Sequence, residues 1–164
     1  MVLIGRRLSA DDLRAVNEDP EAVATLLFGD LDDDDAGMPD PDLDVDKSWH
    51  GLHFLLTGTA WDVVEGAGEA ILGGEEIGED NGYGPARLIS AETVGAVAAA
   101  LDAVDMTMLR ARFDPRAMAA ADIYPEIWNG SDVFDSYLAP NFAALREFYR
   151  TAATNGQAVL LALT

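Results

Sequence analysis

The chain contains no cysteine among its 164 residues. This absence excludes disulfide bonds, thiol nucleophiles, iron–sulfur clusters and cysteine-ligated zinc, and it is consistent with a reducing compartment. The length matches one ordinary domain, which buries roughly 70% of the surface that its unfolded chain would expose. We therefore expect a single domain over residues 1–164 that folds through its hydrophobic core alone.

Basic residues are also scarce. Lys47 is the only lysine, and ten basic residues face thirty acidic ones, which gives a formal charge of −20. Because phosphate backbones bind cationic surfaces, this charge argues against a nucleic-acid partner. It is compatible with a basic protein partner, and equally with a role in solubility.

Long apolar runs are missing as well. Val2–Ile4 is a short apolar stretch that precedes Arg6 and Arg7, whereas a secretory signal has its charges first and a longer apolar segment after them. No segment has the length of uncharged residues that a membrane helix needs. We therefore expect a soluble cytoplasmic protein that does not enter a membrane.

Short apolar segments predict strands, and amphipathic segments between them predict helices. Ser9 to Asp12 has the pattern of a capping box at a helix start. A later helix is predicted from an apolar stripe formed by Val94, Val97, Ala98, Leu101 and Val104. The run Ala158–Leu163 is continuously apolar, which is typical of a strand buried on both faces at the centre of a sheet. These patterns predict an α+β fold with a small mixed sheet covered by five to seven helices. The predicted strands are residues 2–8, 86–89 and 157–163. The proline-interrupted segment 123–128 is predicted to be an edge strand or an ordered loop.

An acidic segment interrupts the first half of the chain. Residues 30–46 hold nine aspartates, so like charges repel and little apolar surface can be buried. The spacing fails as a calcium loop, because Asp35 stands where an EF-hand needs glycine and Pro41 where it needs glutamate. We expect a mobile acidic loop at 30–46 and no metal site.

Both histidines fall in one predicted helix, from Lys47 to Thr57. Trp49 and His53 share its apolar stripe, so we expect His53 to face the core and His50 to face solvent. The steps of four and three from Asp46 to His50 and His53 would also suit a metal, but no further ligand cluster supports that reading. Lys47, at the helix start, could bind an anion or pair with a neighbouring acid.

The glycine-rich region 60–84 has no nucleotide-binding signature. It contains neither a P-loop nor the dinucleotide fingerprint, and we expect no cofactor. Gly82 to Arg87 combines two glycines, an aromatic ring and a guanidinium, which could wall a pocket for a small molecule or carboxylate. The alternative is that the glycines permit a tight turn while Tyr83 fills the core.

Four segments carry a resemblance to a known family: Leu43–Gly58, Ile77–Arg87, Ile123–Trp128 and Gly156–Leu160. Together with the opening Ile4-Gly5 strand they resemble the YfbM-like family, a bacterial domain of unknown function. The resemblance implies one bacterial α+β domain without a cofactor, and it implies no catalytic residue. The positions that fit the central motif of the family are Asp46, Lys47, Trp49, Leu52, His53, Thr57 and Gly58.

Two functional hypotheses remain open. The charge and the missing catalytic signatures favour a non-enzymatic binding module for a basic protein, of undetermined oligomeric state. The alternative is a small-molecule-binding or hydrolytic protein with a pocket around His53, Tyr83 and Arg87. No catalytic residue is assigned, and the candidate binding residues are Lys47, Trp49, His53, Tyr83, Arg87, Tyr124 and Trp128.

Overall fold

The fold is built on a five-stranded antiparallel sheet. The computed structural model describes residues 1–29 and 39–164. The strands are β1 (Leu3–Arg7), β2 (Leu43–Asp44), β3 (Glu75–Ile77), β4 (Ala86–Ile89) and β5 (Val159–Leu163). Their order is β2-β1-β5-β4-β3, and every neighbouring pair runs antiparallel, so the sheet is not mixed as the sequence suggested.

The apolar C-terminal strand lies at the centre of this sheet, as predicted. Leu161 pairs with Gly5 of β1 on one side and with Arg87 of β4 on the other. Val159 through Ala162 are all buried. Continuously apolar strands are typical of parallel sheets because both faces of such sheets are covered. An antiparallel sheet that is covered on both faces can contain such a strand as well.

Helices supply that cover. Eight α-helices occur within the described ranges: α1 (Ala10–Glu18), α2 (Ala22–Phe28), α3 (Trp49–Thr57), α4 (Glu69–Leu72), α5 (Ala91–Asp102), α6 (Met106–Arg112), α7 (Pro115–Ala120) and α8 (Ala139–Thr154). Short 3₁₀ turns occupy Asp46–Ser48 and Gly66–Gly68, and a π-helical turn at Phe134–Leu138 leads into α8.

Each face of the sheet has its own apolar cluster. Leu160 and Ala162 belong to the cluster shared with α1 and α2, whereas Val159 and Leu161 belong to the larger cluster shared with α3, α5 and α8. Alternate side chains of a strand point to opposite faces, so the single run of β5 feeds both clusters. The sheet is therefore the middle of three layers.

Local sequence signals place several of these helices correctly. Ser9 and Asp12 form the predicted capping box, in which Asp12 N donates to Ser9 Oγ at 3.1 Å and Ser9 N donates to Asp12 Oδ2 at 3.0 Å. Ser90 caps α5 through Thr93 N. The predicted apolar stripe of α5 is buried, including Val94, Val97 and Leu101.

Residues 123–128 form an ordered loop, which is one of the two predicted forms, and not an edge strand. Ile123 and Trp128 are buried, and the Trp128 indole donates to Ile123 O at 2.7 Å, which closes an irregular loop. The aromatic character of this segment serves packing against α3 instead of sheet pairing. A Cβ on Gly51 of that helix would come within 2.5 Å of the Trp128 ring.

The predicted acidic loop lies partly outside the described residues, at 30–38. Its C-terminal part is held against β1: the Arg6 guanidinium donates to Pro39 O and Asp40 O at 2.6 Å, and Arg7 pairs with Asp42 at 2.7 Å. Leu43 and Asp44 then pair with β1 as strand β2, so the loop prediction does not hold for those two residues.

We predict that Gly51→Ala destabilises the fold by about 1–3 kcal/mol, because the added methyl group overpacks against Trp128. The matched control is Gly95→Ala in α5, where a Cβ meets nothing within 4 Å. Removing a helical glycine there should stabilise by about 0.5–1 kcal/mol. Urea unfolding of both variants measures the difference, and a stabilising Gly51→Ala would contradict the close contact.

Candidate functional site

A turn after α3 presents an exposed tryptophan. The helix ends at Gly58 with φ 78°, and the chain reverses through Thr59 and Ala60. Asp62 N donates to Thr59 Oγ1 at 2.9 Å, and the His50 ring contacts Ala60 O at 2.9 Å, so both sides of the turn are fixed. Trp61 projects from it with 60% of its surface exposed.

The loop between β3 and β4 presents an exposed tyrosine in a similar way. Asp80 Oδ1 accepts hydrogen bonds from Gly82 N at 2.7 Å and from Gly84 N at 3.0 Å. The two glycines have φ values of 101° and 94°, which other residues rarely adopt. Tyr83 between them is 52% exposed, so the alternative in which it fills the core is wrong.

Trp61 and Tyr83 line one cavity of about 330 Å³, which we call the aromatic cavity. Val63, 49% exposed, also lines it. Further apolar lining comes from the sheet, from α4 and from the β3–β4 loop: Leu3, Leu161, Ala162, Leu163, Ile71, Leu72 and Pro85. Because three large apolar side chains stay in water around a concave apolar surface, this part of the molecule is suited to binding.

The two charged residues on the lining of the aromatic cavity carry opposite charges. Arg87 and Glu76 both line it, and they form an ion pair at 2.9 Å, so the guanidinium is already neutralised. Exposed acids occupy the same two segments of chain that build the cavity: Asp62, Glu65, Glu75, Glu76, Glu79 and Asp80. Five of these acids do not line the cavity, so they favour a cation over an anion only in its surroundings.

The two histidines lie beneath the Trp61 turn and do not line the cavity. Both have no exposed surface, so the prediction that His50 faces solvent is wrong, whereas His53 faces inward as expected. The helix pattern failed at His50 because the turn folds back over that side of α3. The Trp61 ring lies 4.4 Å from the His50 ring, centroid to centroid.

Their hydrogen bonding differs. His50 Nδ1 accepts from Tyr124 N at 3.0 Å, which leaves Nε2 to donate to Ala60 O and fixes the neutral tautomer. Burial lowers the pKa of His50. Burial is the main cause that lowers the pKa of His53 to about 4, and repulsion from His50 in its protonated form adds to it. Asp62 opposes this shift, but neither ring nitrogen of His53 has a hydrogen-bond partner in the described structure.

The seven predicted binding residues do not converge on one site. Tyr83 and Arg87 line the aromatic cavity. Trp49, His53 and Trp128 are buried in the core, and Tyr124 is half-buried with its ring 6.4 Å from that of Trp49. Lys47 is exposed, and no described acid pairs with it.

Sequence reasoning missed Trp61, Val63 and Glu76. The first two sit in a segment with no helical or alternating pattern, so nothing assigned them to a core face. The missing pattern was itself a signal. A tryptophan that lies beside an acid and outside any amphipathic element is not expected in the core, so it is a candidate contact residue. Glu76 lies opposite Arg87 because β3 pairs with β4, and only the register of these two strands shows this position.

Within residues 1–29 and 39–164, no group of three or more His, Asp or Glu side chains is arranged to hold a metal ion. No helix in those ranges is long and apolar enough to cross a bilayer. The arrangement at the aromatic cavity offers apolar contact, two aromatic rings and carboxylates.

The architecture defines an α+β protein with helices on both faces of an antiparallel sheet. A family model described as Domain of unknown function (DUF1877) matches residues 1–162, and the chain belongs to this family. The crystal structure of a protein of unknown function, YfbM from Escherichia coli, matches with a TM-score of 0.73 and 23% identity over 98% of each chain. No curated protein matches the chain. The YfbM-like resemblance of the sequence is thereby confirmed.

We predict that replacing the two histidines by leucine has different effects on the free energy of unfolding. His50→Leu should destabilise by about 1–3 kcal/mol, because it leaves Ala60 O and Tyr124 N without a partner. His53→Leu should be neutral or stabilising, because it replaces a buried ring whose nitrogens are unpartnered by an apolar side chain of similar size. Urea unfolding at pH 7 measures both, and equal losses would refute the assignment.

The lowered pKa of His53 also predicts a pH dependence. The unfolded chain takes up this proton near pH 6.5, whereas the folded chain does so only near pH 4. Stability therefore falls as the pH drops through this window, by roughly 1 kcal/mol per pH unit from His53. The free energy of unfolding between pH 7 and pH 4.5 should depend less on pH in His53→Leu than in the wild type, and identical slopes would exclude His53 as the source.

Proposed function

We propose that this chain is a non-enzymatic, cytoplasmic binding module whose aromatic cavity receives a basic partner protein. The observation that carries the proposal is the exposure of Trp61 and Tyr83 on the lining of one apolar cavity. Tryptophan, tyrosine and arginine are the residues most often found to dominate binding energy at protein interfaces. The burial of such large rings by a partner contributes a favourable free energy to binding.

The occupant is an apolar side chain flanked by Lys or Arg. The cavity lining of Leu3, Ile71 and Leu161 accepts the apolar group. The carboxylates of the two surrounding segments accept the cations, and they steer the encounter over longer range. Net charge alone would attract any cation, so the apolar cavity provides the specificity.

A second candidate function rests on the size of the same cavity. At about 330 Å³ it falls in the range of small-molecule sites. Tyr83 and Arg87 remain in such a site, but His53 does not, since it is buried and does not line the cavity. This supports small-molecule binding and gives no support to a hydrolytic reaction, for which a histidine at the cavity would be the natural base.

Affinity capture from native cells tests the protein-binding proposal. Immobilised wild type and Trp61→Ala are compared with Met108→Ala, which removes a side chain that is 57% exposed but does not line the cavity. A partner should be retained by the wild type and by Met108→Ala, and Trp61→Ala should weaken its binding at least about tenfold. Association should slow as salt rises through about 0.1 M, because screening shortens the range of steering.

Equal capture by all three proteins would show that the bound protein uses another surface. Capture by none, together with a small molecule that copurifies with the wild type and is lost from Trp61→Ala, would favour the second candidate function. The Met108→Ala control separates a specific loss from a general effect of removing exposed apolar surface.

A further inference from the structure

A second cavity lies on the other face of the sheet, between α2 and the β3–β4 loop. Its volume is about 520 Å³, and we call it the acidic cavity. The buried side chains of Val23, Leu27 and Ala86 form its apolar part, and these residues belong to the cluster under α1 and α2. A cavity of this size accommodates an organic molecule.

The polar lining has one sign of charge. Glu21 at the start of α2 and Glu79 and Asp80 of the β3–β4 loop contribute carboxylates, and no basic side chain is among the described lining residues. Acidic lining is frequent in this chain: two other cavities also have only acids as charged lining residues, Glu69 and Glu75 in one and Asp122 and Glu126 in the other. The acidic cavity differs from both in having three acids around one apolar surface and in the exposed ring of Tyr83 on its lining.

The acidic cavity is held open by structure at its sides. Gly78, at φ 77°, approaches α2 so closely that a Cβ there would lie 3.0 Å from Val23, so the loop rests against the helix. Asp80 orders the following turn through Gly82 N and Gly84 N. Tyr83 lines this cavity as well as the aromatic one, and its exposed ring can face a cation.

We propose that the acidic cavity binds an amphipathic organic cation, with an apolar body and an ammonium group at one end. The body lies against Val23, Leu27 and Phe28, and the ammonium lies at the rim, near Glu21 and Glu79. The same carboxylates repel an anion of equal shape. This site has its own apolar lining, but it shares Tyr83 with the aromatic cavity, and Glu79 and Asp80 belong to the acids that surround both. Binding of an amine and binding of the partner protein are measured separately, so either proposal can fail alone.

The probes are 4-phenylbutylamine, 4-phenylbutanol and 4-phenylbutyrate, which share an apolar body and differ in charge. Titration followed by NMR shifts of the full-length protein should show binding in the order amine, alcohol, carboxylate. The largest shifts should come from α2 and the β3–β4 loop. Equal affinity for the amine and the carboxylate, or no binding of the amine at millimolar concentration, would overturn the proposal.

The double variant Glu21→Gln with Glu79→Gln removes two carboxylates that make no side-chain hydrogen bond in the described structure, so the fold should be unaffected. It should weaken amine binding by about three- to tenfold and leave the alcohol unchanged. The matched control is Glu92→Gln with Glu126→Gln, which changes the net charge equally but alters exposed acids outside this cavity. Equal weakening by both pairs would show that only net charge attracts the amine.

Two further results separate other occupants. Trp61→Ala should leave amine binding unchanged, because Trp61 lines only the aromatic cavity; a loss would place the probe there. If a second copy of the chain fills the acidic cavity, the apparent affinity for the amine should fall as the protein concentration rises. That result would also overturn the proposal.

Discussion

Burial of β5 is the constraint on which the rest of the structure depends. Val159 through Ala162 are each at most 3% exposed, and their side chains alternate between the two faces of the sheet. Apolar surface on both faces can be removed from water only if helices cover both. The helices α1 and α2 on one side and α3, α5 and α8 on the other meet that requirement.

Both cavities form where this helical cover ends. β3 is an edge strand, and Glu75 and Glu76 keep it exposed and charged, which discourages pairing with another chain. The β3–β4 loop leaves the sheet at the same edge and carries Tyr83 into the lining of both cavities. The candidate sites are therefore a consequence of the edge, and their polarity follows from the acids placed there.

The exposed Trp61 depends on a buried support. His50 uses both ring nitrogens, one on the Trp61 turn and one on the segment that contains Tyr124, and it stacks on Trp49 at 4.8 Å. A polar side chain in the core costs stability unless it is hydrogen-bonded, and His50 meets that condition. His53 has no hydrogen-bond partner, so protonation of its ring at low pH destabilises this core.

The sequence by itself determined the fold class, the capping box at Ser9, the buried stripe of α5 and the central position of β5. These features follow from local propensity and from the period of apolar residues, which neighbouring positions encode. Membership of the family could also be inferred from short motifs, whereas function could not, because a fold does not specify what its sites bind.

Only the tertiary structure decided the environment of His50, the exposure of Tyr83, the antiparallel register that sets Glu76 against Arg87, and the convergence of Trp61 with Tyr83. Each of these depends on contacts between residues distant in the chain. A turn that folds back over α3 buries a side chain that helical periodicity assigns to solvent, and no local pattern contains that information.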